Sequence, residues 1–136
     1  MIDIIGTLRH IYRRANQIFD FAVATLRLQE TGGTITTTGA EQDVYRNETP
    51  LGEFFPRKVV IDFTNQTAAE TVVVRTYYRI ASGGGLLKKD EETFAATQDP
   101  VIRNIELEPN RFGVQVTIER IGGAAQAYPW EVHYEG

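Results

Sequence analysis

Residues 111–120 read RFGVQVTIER, with Phe112, Val114, Val116 and Ile118 alternating with Gly113, Gln115, Thr117 and Glu119. A period of two is what a strand with one dry and one wet face requires. A helix would scatter the same four apolar residues around opposite sides of its axis. The period continues outward in both directions. KVVIDFT (58–64) sets Val59, Ile61 and Phe63 against Lys58, Val60 and Asp62. ETVVVRTYYRI (70–80) sets Val72, Val74, Tyr78 and Ile80 opposite Arg75 and Arg79. YPWEVHYE (128–135) opposes Tyr128, Trp130, Val132 and Tyr134 to Pro129, Glu131, His133 and Glu135.

Turn chemistry at SGGG (82–85), EPN (108–110) and GGAA (122–125) separates these runs. Seven to eight strands are expected, at 33–38, 41–46, 57–64, 70–80, 86–95, 101–108, 111–120 and 126–135. Short, evenly spaced strands with turn signals predict a mainly β fold, an antiparallel β-sandwich of jelly-roll type over residues 31–136. Pro129 has no backbone N–H and is expected on an edge strand or at a bulge.

The first thirty residues follow a different period. Ile4, Leu8, Ile11, Ala15, Ile18 and Ala22 form one helical stripe, widened by Ile5, Tyr12, Phe19 and Leu26. Asp3 fits an N-cap and Gly32-Gly33 a stop. The expectation is a long N-terminal amphipathic α-helix over 1–30, with Arg9, His10, Arg13 and Arg14 on its polar side. Two fates are open to its stripe: lying over the sandwich as a lid, or burial against other chains. The strands' outward positions are mostly polar, which favours the second. Ile4, Leu8, Ile11, Tyr12, Ala15, Ile18, Phe19 and Ala22 are then the expected oligomer interface, with copies of this chain or other shell subunits as partners. In the loop RNETPLGEFFPR (46–57), Phe54 and Phe55 either cap one end of the sandwich or project into a neighbour.

The chain has 136 residues with 14 Lys and Arg against 18 Asp and Glu, a net charge of −4. A general nucleic-acid binder is normally basic. The first thirty residues hold four Arg against Asp3, Asp20 and Glu30, so a nucleic-acid contact through Arg9, Arg13 and Arg14 is a weak expectation only. There is no cysteine, which excludes disulfides, thiolate catalysis and Cys-ligated metals. No signal peptide pattern and no apolar run long enough to span a membrane are present, so a virion or cytoplasmic location is expected.

Catalytic patterns are missing. The two histidines, His10 and His133, are distant in sequence and lie in no metal-binding spacing. Glu119 and Glu131 fall on the polar sides of strands expected to pair as a hairpin, with Glu106 on a neighbouring run. Such a pair suits glycoside chemistry only if it flanks a cleft, and nothing in the sequence marks one. KKDEE (88–92) lacks the spacing of a calcium loop. SGGG precedes a strand rather than a phosphate-binding helix. No enzyme activity and no cofactor are expected. Tyr77, between Arg75 and Arg79, is the best candidate for an exposed aromatic.

ETGGTITTTGAEQDVY, KVVIDFTN, VVVRTYYRI, EPNRFGVQVTIE and WEVHYE together resemble small β-sandwich virion proteins of tailed phages and archaeal viruses. The resemblance implies a jelly-roll-like structural subunit (capsid, decoration or fibre type), present in repeated copies and without catalysis. It carries over no site residues. The alternative is a carbohydrate- or receptor-binding sandwich, contacting a glycan through Tyr77 and loop 46–57.

Overall fold

A computed structural model of the chain describes residues 32–48 and 55–135. The helix expected over 1–30, with its proposed interface residues Ile4 to Ala22 and its arginines, lies outside the described residues, as does Phe54.

The described chain is mainly β. Its eight strands are β1 (Gly32–Thr36), β2 (Gln42–Asn47), β3 (Phe55–Asp62), β4 (Thr71–Tyr78), β5 (Leu87–Ala95), β6 (Ile102–Glu106), β7 (Val114–Gly122) and β8 (Ala127–Glu135). They form two four-stranded antiparallel sheets, one in the order β1-β8-β3-β6 and the other β2-β7-β4-β5. Each expected strand is present, with ends shifted by a few residues.

The alternation read from the sequence sets the core. Val59, Ile61 and Phe63 meet Val72, Val74, Val114, Val116, Ile118, Tyr128 and Val132 in one buried cluster drawn from both sheets. Phe63 links them: its ring stacks on Phe94 at 4.8 Å and meets Tyr128 edge-on at 5.1 Å. At another point Tyr45 of β2 and Tyr134 of β8 share a hydroxyl–hydroxyl bond of 3.0 Å between rings set nearly perpendicular. Burial, followed by the Tyr134 hydrogen bond, pushes the Tyr45 phenol well above its usual range.

Three expectations are corrected. Ile80, placed on the dry side, is 69% exposed, because β4 ends at Tyr78 and the chain then turns outward. Glu119 and Glu131 are not hairpin partners: β7 and β8 belong to different sheets. Pro129 is not on an edge strand, since β8 lies between β1 and β3.

The sheet accommodates Pro129 by stopping a ladder. The Gln126 carbonyl accepts from Thr37 N on the β1 side, so the backbone groups of Tyr128 and Trp130 also face β1. Those of Ala127, Pro129 and Glu131 therefore face β3. The β3–β8 register ends at Ile61–Trp130, and the next hydrogen-bonded pair would be Asp62 with Pro129, which has no N–H to give. Beyond that point the Asn65 side chain takes over, donating Nδ2 to the Ala127 carbonyl at 2.8 Å.

Candidate functional site

An extended network of charged and polar side chains spans the β2-β7-β4-β5 sheet. Register places Arg75 of β4 beside Thr117 of β7 and Glu91 of β5. Its guanidinium gathers three carboxylates: Nε lies 2.6 Å from Glu91 Oε1, and one terminal nitrogen lies 3.5 Å from Glu41 Oε1 and 3.6 Å from Glu119 Oε2. Lys88 adds a longer contact to Glu91 at 3.8 Å. Glu41 precedes β2 and reaches across the face, accepting from Tyr77 Oη at 2.5 Å and Thr117 Oγ1 at 2.6 Å. Beneath this cover Thr117, a polar residue on the wet side of its strand, is only 2% exposed.

These contacts settle protonation. The hydroxyls of Thr117 and then Tyr77, with the Arg75 charge behind them, hold the Glu41 carboxyl below its ordinary value of 4.5. Arg75 does the same to Glu91. Desolvation and the adjacent Glu41 raise the Tyr77 phenol. Near neutral pH the lowered carboxyls of Glu41 and Glu91 therefore carry their negative charge beside Arg75. An open depression of about 280 Å³ adjoins the network, lined by Glu41, Asp43, Tyr77, Leu86, Gln115 and Thr117.

A second depression, of about 160 Å³, opens on the other sheet's outward face where the β3–β8 ladder stops. Val60, Asp62, Ile102, Pro129, Trp130 and Glu131 line it. Its carboxylates are engaged locally, Asp62 by Thr64 and Glu131 by His133 at 2.6 Å.

A third polar group is buried where loops meet. Glu70, 2% exposed, accepts from Thr67 N at 3.2 Å, Thr67 Oγ1 at 2.5 Å and Gln126 Nε2 at 2.7 Å. The Thr67 hydroxyl is the main reason its carboxyl stays below the usual range. Gln66 Nε2 donates to the Glu70 and Phe94 carbonyls at 3.1 and 2.8 Å. With the Ala96 N–H donating to the Glu70 carbonyl at 2.9 Å, the cluster ties together the β3–β4, β5–β6 and β7–β8 connections.

Of the residues singled out from sequence, Tyr77, expected to be an exposed aromatic, is half-buried on the outward face with its hydroxyl engaged by Glu41. Phe55 is half-buried at the start of β3, opposite Glu135. Glu106 pairs in register with Lys58, and Glu119 is bound to Arg75. Sequence reading missed the roles of Glu41, Thr117 and Glu70. The Thr67-x-x-Glu70 spacing, that of a capping box, was a legible signal for the last. No local pattern marks Glu41.

Among the described residues no group of three or more His, Asp or Glu is placed to hold a metal ion, and no helix is long and apolar enough to cross a membrane. Compared with known proteins, the chain matches no family model, no curated protein and no solved structure.

Proposed function

We propose that this chain is a non-enzymatic structural subunit of a viral particle or similar repeated assembly, with a jelly-roll sandwich as its body and the apolar stripe of residues 4–22 as its means of self-association. The observation that carries this reading is that the described residues of the two sheets share one buried apolar cluster. Among the described residues, sixteen apolar side chains from the two sheets and their connections are buried together. In this reading the stripe of Ile4, Leu8, Ile11, Tyr12, Ala15, Ile18, Phe19 and Ala22 is buried against other chains. Large apolar side chains gain roughly 1.5–3 kcal/mol each on full burial, and other copies or shell subunits supply the surface.

The strand pairing supports the jelly-roll assignment. β1 pairs β8, β2 pairs β7, β3 pairs β6 and β4 pairs β5, the pattern of one long antiparallel ribbon rolled over on itself. That architecture serves capsid subunits and lectins alike, so it does not choose between assembly and glycan binding. The engaged Tyr77 hydroxyl weighs toward assembly. Residence in the particle, or in the cytoplasm before assembly, follows from this reading. Arg9, Arg13 and Arg14 would face an acidic shell surface or nucleic acid.

The test is the solution mass of the full chain and of an Ile11→Glu/Ile18→Glu variant. A defined oligomer for the parent and a folded monomer for the variant are expected. Equal masses would overturn the proposal.

A further inference from the structure

Among the described residues each sheet has two edge strands with no further strand beside them, and three of the four are guarded against pairing with another strand. β5 carries five consecutive charged residues, Lys88 to Glu92. β2 carries Asp43 and Arg46 and a register shift between Asp43 and Tyr45. β6 is five residues long and carries Arg103 and Glu106. Charges, bulges and shortness are the devices that keep edges apart. β1 is also short, but Gly-Gly-Thr-Ile-Thr has no charge, no proline and no register shift against β8. The uncharged run extends from Thr31 to Ala40.

We propose that the free edge of β1 pairs with β1 of a second copy, antiparallel about a two-fold axis at Thr34, joining two four-stranded sheets into one of eight strands. The backbone presents the needed groups. Thr37 N donates to the Gln126 carbonyl, so Thr37, Ile35 and Gly33 face β8, and the N–H and C=O of Gly32, Thr34 and Thr36 face outward. Of these, the Thr36 carbonyl takes a side-chain bond from Gln42 Nε2 at 3.2 Å and keeps a second lone pair.

The two-fold register is also self-complementary in size and charge. Thr34 stands opposite Thr34 of the partner subunit, a favourable cross-strand pair. Gly33 stands opposite Ile35 of the partner subunit, and Gly32 opposite the partner's Thr36. No like charges meet. Gly33 has an indole at its side: a Cβ there would stand 3.6–3.7 Å from the Trp130 ring. Glycine leaves that ring only partly covered, and the partner's Ile35 would cover it. Gly32 cannot be replaced by a guarding residue, because a Cβ would come within 2.7 Å of the Trp130 carbonyl.

Two five-residue strands meeting edge to edge bury far less than the roughly 1,200–2,000 Å² of a stable interface. The contact is therefore weak alone and acts where copies are already held side by side. It uses a different surface from the apolar stripe and stands or falls separately from it.

The chain lacks cysteine, so single Thr→Cys variants of the full chain test the register directly under an added oxidant. Facing residues in a hydrogen-bonded antiparallel pair have Cα atoms about 5.5 Å apart, within disulfide reach. In the two-fold pair, Thr36 and its own copy are four residues out of register, about 13 Å along the strand. Thr34→Cys is expected to form a disulfide dimer at least tenfold faster than Thr36→Cys or Thr93→Cys, the latter on the guarded β5 edge. A dimerising Thr34→Cys should also shift the emission of Trp130, the sole tryptophan, to shorter wavelength. Equal rates at all three positions, or no cross-link at Thr34→Cys because another segment covers the edge, would overturn the proposal. Repeating the series with Ile11→Glu/Ile18→Glu separates the two contacts. Loss of stripe association lowers the rates together, whereas loss of edge pairing removes their ratio.

Discussion

The Tyr77 hydroxyl donates to the Glu41 carboxylate at 2.5 Å, bridging β4 to the residue that precedes β2 across the intervening strand β7. The bond is partly solvated, so Tyr77→Phe should cost toward the lower end of the roughly 0.5–1.5 kcal/mol of a net hydrogen bond. Glu41 has its folded-state value below 4.5. Its stabilisation is therefore complete above the unfolded value and is lost as pH falls through the folded one. Urea unfolding across that acid range should show a shallower decline of stability with falling pH for Glu41→Gln than for the parent.

Gly123 has φ +79°, and a Cβ there would lie 2.6 Å from the Ala69 carbonyl oxygen and 2.7 Å from Glu70 Cα. Gly83 has a similar φ of +75° but open space around it. Gly83→Ala should lose only the conformational cost of about 1–3 kcal/mol. Gly123→Ala should lose more, since backbone must also move. Thermal unfolding of the two variants measures the difference, and equal losses would show that the close approach at Gly123 relaxes at no cost.

Tyr128 is fully buried, yet its hydroxyl has no hydrogen-bond partner among the described residues. Burial, followed by the nearby Glu70 charge, raises it to about 12. A buried polar atom left unpaired costs about 1–3 kcal/mol. Tyr128→Phe should therefore unfold at an equal or higher temperature than the parent. A lower temperature would show that the hydroxyl has a partner in solution, such as a bound water.

Phe63 and Ile80 separate what alternation can and cannot predict. Phe63→Ala should cost about 3–5 kcal/mol, because its ring joins the two sheets. Ile80→Ala should stay within about 0.5 kcal/mol, as exposed positions do. Denaturant titration of both variants checks the pair.

The eight strands and most of the core were legible because one face of each sheet is dry, and that imposes a period of two on the chain. Ile80 was misread because alternation does not mark where a strand ends. Pro129 was misread because the edge rule assumes both ladders run the strand's full length, whereas the β3 ladder stops one residue short of it. The Arg75 face was only half legible. Arg75 and Tyr77 showed their outward side, but Glu41 arrives from 34 positions upstream of Arg75 through sheet order alone. The Glu119–Glu131 pairing failed for the same reason: adjacent strands in sequence were assigned to one hairpin, and the fold sends them to opposite sheets.

The proposed assembly role of the apolar stripe requires that the sandwich fold without it. The most direct measurement is sedimentation at micromolar concentration of the full chain beside a chain beginning at Thr31, each with its thermal unfolding. A defined oligomer is expected for the first and a monomer with a cooperative transition for the second. Two monomers, with the shorter chain unfolded, would contradict it.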